Sequence, residues 1–247
     1  MVLKKLKPRA ILFDLGSTLI EYESVSWGEL GDRCAASGRQ YLIKKMIDIG
    51  EDGRFETAFN EIRDGYRKRA AEMMVEWDVM QVASDLFDQF GIPYDDKLVD
   101  DFFDAYYKPV ADQLYVYDDA AATLSKLKEE CPVMGLISNT VFPERAHLLE
   151  LERFGLSRFF DFTIFSSTFG LRKPHKDIFL KAANLAGQAP ADCVYIGDRY
   201  MEDIQGPYGV GMPAILKVKP GREYPEEMPE AERQIHTLSE LFEHIEI

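Results

Sequence analysis

Short apolar runs bounded by turn residues recur along the chain, at Arg9–Asp14, Val133–Ser138, Phe162–Ser166, Cys193–Gly197 and Pro213–Val218. Each is too short for an independent helix, and none alternates polar with apolar as a half-exposed strand does. Continuous apolar runs of this length fit the strands of a parallel sheet covered on both faces. Amphipathic helical patterns fall between them. Asp118–Glu130 sets Leu124 and Leu127 among charged positions, and Lys176–Ala186 places Ile178, Phe179, Ala182 and Leu185 on one face. Leu238–Ile245 reads as a closing amphipathic helix. Strand–helix alternation of this kind predicts an α/β fold, a doubly wound parallel sheet.

The interval from Glu21 to Leu114 breaks the alternation. It holds no convincing strand, and its periodicity is helical at Arg39–Ile49, Phe55–Met74, Val79–Phe90 and Lys97–Leu114. Breakers stand near Gly50, Gly53 and Gly91-Ile92-Pro93. The pattern predicts an all-helical module, residues 21–114, inserted after the first strand into a core made of 1–20 and 115–247. The basic segment Arg63–Arg69 reads as a solvated helix face.

Composition narrows the partners. The chain carries a formal net charge of -14 with a pI near 4.8. Such a surface repels nucleic-acid backbones and anionic lipid, which argues against both as partners. A small anionic substrate is still compatible, because local lysines or a metal outweigh the global field. Cys34, Cys131 and Cys193 stand far apart in apolar surroundings and read as reduced core thiols. The basic-then-apolar start superficially resembles a signal peptide. Asp14 interrupts its apolar part and no small-residue cleavage site follows. No stretch approaches the ~18 uninterrupted apolar residues of a membrane span, so the expected location is the cytoplasm.

Candidate chemistry lies at the strand ends, where open α/β sheets collect ligands. Asp14 follows Ala10–Phe13, Ser138-Asn139-Thr140 follows Val133–Ile137, and Asp198 follows Val194–Gly197. Lys173 sits in the loop Gly170–Pro174 just before a helix. Taken alone, each has a plain reading as a helix cap, a turn residue or a surface lysine. Together they suit phosphoryl transfer. Asp14 would be the nucleophile, Ser138 and Asn139 donors to phosphoryl oxygens, and Lys173 the cation offsetting developing charge. Asp14 and Asp198 would offer oxygen ligands to Mg2+, which needs few from a protein.

In its strand followed by "DLGSTL", its "GLISNT", "FGLRKPHKDIF" and "VYIGDRYMEDIQG" segments, and the trailing Gly209-Val210-Gly211-Met212, the sequence resembles the haloacid dehalogenase-like hydrolase superfamily. The resemblance covers nearly the whole chain, in order. It implies a Rossmann-like core with the helical insertion as a cap, and an aspartyl-phosphate intermediate on a small phosphorylated metabolite. It also implies that Gly16 lends its backbone carbonyl to the metal and that Asp203 orients the site.

One departure puts activity in question. The family's phosphatases have a second Asp where this chain has Gly16, serving as general acid and base. Losing positioned acid–base catalysis costs a factor of ~10²–10⁴, or roughly 3–5 kcal/mol of barrier. A slow or specialised hydrolase is therefore expected, with a non-catalytic phosphate- and metal-binding or regulatory protein as the alternative. Three further routes are open: a leaving group that needs no proton, phosphonatase-like C–P cleavage through a lysine such as Lys44, Lys45 or Lys68, or substitution by Ser17, a solvent chain or a cap residue such as Glu21 or Glu23. The family's metal-free 2-haloacid dehalogenases also replace that Asp, but lack the arrangement kept here at Gly197-Asp198. His175, Tyr106 and Tyr107 are expected to be structural; Arg199 and Tyr200 stand close enough in sequence to reach substrate.

Overall fold

The computed structural model describes residues 3–50, 53–73, 75–131 and 133–246. Its chain divides into two compact units: Met1–Glu21, Tyr115–Thr140 and Glu144–Ile247 form one, and Tyr22–Leu114 with Val141–Pro143 the other.

The first unit is built on a six-stranded sheet in the order β5-β4-β1-β6-β7-β8, with every neighbouring pair parallel. Its strands are β1 (Ala10–Phe13), β4 (Val133–Ser138), β5 (Phe162–Phe165), β6 (Cys193–Gly197), β7 (Ala214–Lys217) and the short edge strand β8 (Gln234–Ile235). The helices α5 (Ala120–Glu130), α6 (Glu144–Arg153), α7 (Ser166–Phe169) and α8 (Lys176–Leu185) connect them. This is the Rossmann-like α/β sheet that the apolar runs predict. A two-stranded antiparallel ribbon, β2 (Ile20–Glu21) with β3 (Tyr115–Val116), lies outside the main sheet. Both β1 and β6 are wholly buried, and a cluster including Leu12, Ile137, Phe179 and Tyr195 fills one side of the sheet.

Register brings the candidate residues level. Phe13 pairs with both Leu136 and Ile196, and the amide of Asp14 extends the ladder to the Ile196 carbonyl at 2.8 Å. Ser138 and Asp198 therefore each stand one residue beyond the level of Asp14. Adjacent strands lie about 4.8 Å apart, so all three emerge at one end of the central strands.

The second unit contains four helices among its described residues: α1 (Trp27–Lys44), α2 (Arg54–Met73), α3 (Val79–Phe90) and α4 (Asp96–Gln113). The expected first helix, Arg39–Ile49, is corrected. It begins twelve residues earlier, capped by Ser26, whose side chain accepts from the Glu29 amide. Its buried face is Leu30, Cys34, Ala35, Gly38 and Leu42, mostly small residues that leave a weak apolar signal. The smallness has a use, because a Cβ on Gly38 would come within 2.6 Å of the Phe102 ring on α4. Phe102 in turn meets Phe87 at 5.2 Å and Phe55 at 6.3 Å. The end expected at Met74 lies outside the described residues. The expected closing helix is a 3-10 turn, Leu238–Glu240, followed by the single helical turn Leu241–His244.

Pro109 lies inside α4, where its ring nitrogen cannot donate to the carbonyl four residues earlier. That carbonyl belongs to Ala105, and the Ser37 hydroxyl of α1 donates to it at 2.7 Å. Two helices are thus tied by the bond the proline omits. Among the described residues no helix is long and apolar enough to cross a membrane.

The tie predicts non-additivity. Ser37→Ala removes the donor and should cost about 1–3 kcal/mol in urea unfolding. In a Pro109→Ala background, where the backbone N–H can return to Ala105, the same change should cost under about half as much. Equal costs in both backgrounds would show that the hydroxyl is not compensating for the proline.

Candidate active site

Lys173 is the centre of the site. Only 2% of it is exposed, and its ammonium donates to Asp14 Oδ1 at 2.7 Å, Asp203 Oδ1 at 2.6 Å and the Tyr195 hydroxyl at 2.8 Å. Burial alone would lower its pKa, but the carboxylates of Asp14 and Asp203 outweigh that and raise it. The ammonium stays charged.

Its neighbours are fixed in turn. The Tyr195 hydroxyl donates to the Ile137 carbonyl at 3.1 Å, and burial, reinforced by Asp203 and Asp14, pushes its phenol well above the usual range. Asp203 is fully buried, and its Oδ2 accepts from the amides of Asp198 at 3.1 Å and Arg199 at 2.9 Å. This close approach needs the glycine before Asp198: a Cβ on Gly197 would lie 2.4 Å from the Asp203 carboxyl carbon. Asp203 thus orients both Lys173 and the turn carrying Asp198.

The carboxylates of Asp14, Asp198 and Asp203 offer oxygens that all lie within 4.8 Å of one another. Burial raises the Asp14 carboxyl to about 6, with Lys173 opposing and Asp203 adding. Asp198 is pushed well above the usual carboxylate range, chiefly by burial and then by Asp14 and Asp203. The Arg222 guanidinium stands against Asp198 Oδ2, yet neither carboxylate oxygen of Asp198 accepts a hydrogen bond among the described residues. Buried carboxylates crowded in this way are stable as anions only with a counter-charge. Hard oxygen donors in this number and spacing fit Mg2+.

The turn after Asp14 is braced from the sheet. The Thr18 hydroxyl donates to Asp14 Oδ2 at 3.3 Å. Ser17 adopts a left-handed φ of 58°, with its carbonyl held by Lys217 at 3.0 Å and its hydroxyl by Lys219 at 2.8 Å. Lys217 also lies 3.6 Å from the centre of the Tyr117 ring, and burial lowers its pKa. Gly16 is half-buried and is not among the residues with positive φ.

Several sequence expectations are refined here. Ser138 lies buried at the end of β4 as its register requires. Asn139, expected to donate to phosphate, instead grips the lysine loop: its Nδ2 donates to the Lys173 carbonyl at 2.9 Å and its Oδ1 accepts from the Lys173 amide at 2.8 Å. An amide spent on both backbone groups of one residue sets the position of that residue. Glu21, weighed as a substitute acid, is held by Lys219 at 2.8 Å, Tyr117 at 2.6 Å and Ser17 at 3.3 Å. His175 caps α8, accepting from the Asp177 amide. The Tyr200 hydroxyl donates to Glu230. Tyr106 and Tyr107 are buried against aromatic rings of their own unit.

Sequence reasoning passed over Tyr195, Lys217 and Arg222. A tyrosine in a strand buried on both faces needs a partner for its hydroxyl, and that requirement was the available signal for Tyr195. Nothing in the local sequence marks the other two.

Comparison with known proteins agrees with this geometry. A family profile described as "Hydrolase: haloacid dehalogenase-like hydrolase" matches residues 8–209. Glyceraldehyde 3-phosphate phosphatase of Pyrococcus furiosus is 28% identical over 208 residues, covering 84% of this chain and 79% of the relative. Phosphoglycolate phosphatase of Shigella dysenteriae is 27% identical, covering 84% and 80%. The crystal structure of a 2-haloacid dehalogenase from Pseudomonas syringae superposes with a TM-score of 0.74, at 22% identity, over 96% of this chain and 97% of that one. At that identity the superposition establishes the shared fold.

The raised Asp14 carboxyl makes a prediction for the protein kept free of divalent cations. Its pKa rises from 3.8 to about 6 on folding, so its stabilising contribution is complete below 3.8 and is lost as pH climbs through 6. Asp14→Asn is neutral at every pH. It should gain on the wild type between pH 4 and pH 7.5, by up to about 3 kcal/mol at roughly 1.4 kcal/mol per unit. Urea unfolding in chelator at both pH values measures this; a difference that moves toward the wild type as pH rises contradicts it.

Proposed function

The chain belongs to the haloacid dehalogenase-like hydrolase family, and on that premise we propose that it is a slow or specialised phosphohydrolase acting on a small phosphorylated metabolite. The observation that carries this reading is the buried ammonium of Lys173 bonded at once to Asp14 and Asp203. That contact supplies a preorganised positive charge next to a carboxylate nucleophile. The relatives named for glyceraldehyde 3-phosphate and phosphoglycolate support phosphorylated two- and three-carbon compounds as the size class, and the missing acid at Gly16 puts the acyl phosphates of that size first.

Asp14 attacks phosphorus and the bond from phosphorus to the leaving oxygen breaks, releasing the leaving group as its anion and forming an aspartyl phosphate; water then attacks that phosphorus, releasing phosphate and regenerating the Asp14 carboxylate. Lys173 holds the attacking carboxylate in line and offsets charge on the phosphoryl oxygens, while Ser138 donates to one of them. Asn139 keeps the lysine loop in register. Asp14, Asp198 and the Gly16 carbonyl would hold Mg2+, which when bound supplies further charge neutralisation at the phosphoryl group. Asp203 fixes both Lys173 and the Asp198 turn. Residues 22–114 are read as the family's cap module, the part that limits substrate size.

Gly16 brings no proton to the leaving group, and Glu21 is already engaged by a lysine, a phenol and a hydroxyl. This favours substrates whose leaving group departs unprotonated, such as acyl or aryl phosphates. It also keeps a second reading in play, a phosphate- and metal-binding protein without turnover. Lys44, Lys45 and Lys68, the lysines weighed for C–P cleavage, are all exposed.

Hydrolysis of para-nitrophenyl phosphate with Mg2+ separates the two readings. Turnover is expected in the wild type and should vanish in Asp14→Asn. Gly16→Asp places a carboxylate two residues after Asp14, at a position without a left-handed φ, and should raise turnover on alkyl phosphates by at least about tenfold. Phosphate binding without turnover in the wild type would establish the second reading; dehalogenation of a 2-haloacid without phosphatase activity would replace both.

A further inference from the structure

A second buried polar chain begins two residues beyond Ser138 and has no part in the chemistry above. The Thr140 hydroxyl lies 2.6 Å from His147 Nε2, and His147 Nδ1 lies 2.9 Å from Glu150 Oε2. Exposures of 8%, 3% and 4% put all three in the interior. A carboxylate oxygen accepts, so Nδ1 donates to Glu150, and the other ring nitrogen meets the threonine hydroxyl. The imidazole also lies flat on Phe165, with centroids 5.2 Å apart and planes inclined by 22°. Phe165 is the β5 residue paired with Ser138.

The geometry points to His147 and Glu150 as positioning residues that act through Thr140 on the lysine loop. The Thr140 amide donates to Ser166 Oγ at 2.8 Å, and that hydroxyl donates back to the Thr140 carbonyl at 3.2 Å. With the side chain on His147, every polar group of Thr140 is held by a buried partner. The next residues, Val141–Pro143, are part of the helical unit, and the chain returns at Glu144 to begin α6. Thr140 is therefore the last residue of the core unit before the excursion, and the His147 bond ties it to the helix on which the chain returns. One residue upstream, Asn139 holds Lys173 by both backbone groups. Movement of Thr140 is passed to Asn139 and so to the ammonium beside Asp14. A histidine that merely filled space would not need a buried carboxylate behind it, since an apolar pair there would avoid the desolvation cost.

This inference rests on the phosphoryl-transfer reading only for its kinetic readout. Thr140→Val keeps the shape and deletes the hydroxyl; Thr140→Ser keeps the hydroxyl. With para-nitrophenyl phosphate and Mg2+, Thr140→Val should lower kcat about tenfold while KM stays within about twofold. Thr140→Ser should stay within about threefold of the wild type. Glu150→Gln, which preserves volume, should lower kcat in the same direction by about threefold and serves if Thr140→Val does not fold. A lower melting temperature with unchanged kcat would make the chain merely structural and overturn the inference, as would failure of Thr140→Ser to restore activity. An inactive wild type would end the hydrolase reading instead. Crystal structures then decide the inference: in Thr140→Val, or in Glu150→Gln if that fold is lost, the Asn139–Lys173 bonds should lengthen or break. Unchanged distances would overturn it.

Discussion

One buried ammonium holds this site together. Lys173 comes from the loop after α7, Asp14 from the end of β1, and Asp203 from the π-helical segment Tyr200–Gln205 that follows β6, segments separated in sequence that meet at 2.6–2.7 Å. None of these charges would be tolerated alone at such depth. Removing the lysine would leave two crowded carboxylates without their cation, and removing either carboxylate would leave the ammonium half-compensated. The surrounding structure is organised to keep these groups in place. Tyr195 supports Lys173 from within the sheet, Asn139 fixes its backbone, and Asp203 anchors the turn that presents Asp198. The same arrangement serves charge stabilisation in a reaction, because dipoles and charges already in place need not reorganise when charge develops.

Two glycines show how local backbone chemistry sets what the site can do. Gly197 is required by packing, since Asp203 occupies the space a Cβ would need. Gly16 is different: it is not among the residues with positive φ, so no left-handed backbone calls for a glycine there. Its consequence is chemical. On the proposed reading, a site without an acid at that position favours leaving groups that need no proton.

Much of the sheet was legible because strands buried on both faces write continuous apolar runs, and β1, β4, β5, β6 and β7 fall within the runs at Arg9–Asp14, Val133–Ser138, Phe162–Ser166, Cys193–Gly197 and Pro213–Val218. Asp14, Ser138 and Asp198 could be placed at one sheet end because register follows from those strands. Helices with unusual buried faces were harder. The face of α1 is made of small residues, and α6 buries His147 and Glu150 beside Ala146 and Leu151, so its apolar signal is interrupted by charge. Side-chain direction was not legible at all. Asn139 reads equally well as a phosphate donor or a loop clamp until the position of the Lys173 backbone is known. Lys217 and Lys219 reach Ser17 across about 200 residues of sequence, a pairing that no local pattern encodes.

The chemistry proposed for this site requires that the carboxylate cluster take a divalent cation without giving up its lysine. A crystal soaked in magnesium measures that directly. The expected result is one octahedral ion at about 2.1 Å from oxygens of Asp14, Asp198 and the Gly16 carbonyl, with Lys173 still bonded to Asp14 and Asp203. An ion bound elsewhere, or Lys173 driven out of contact with Asp14, would contradict it.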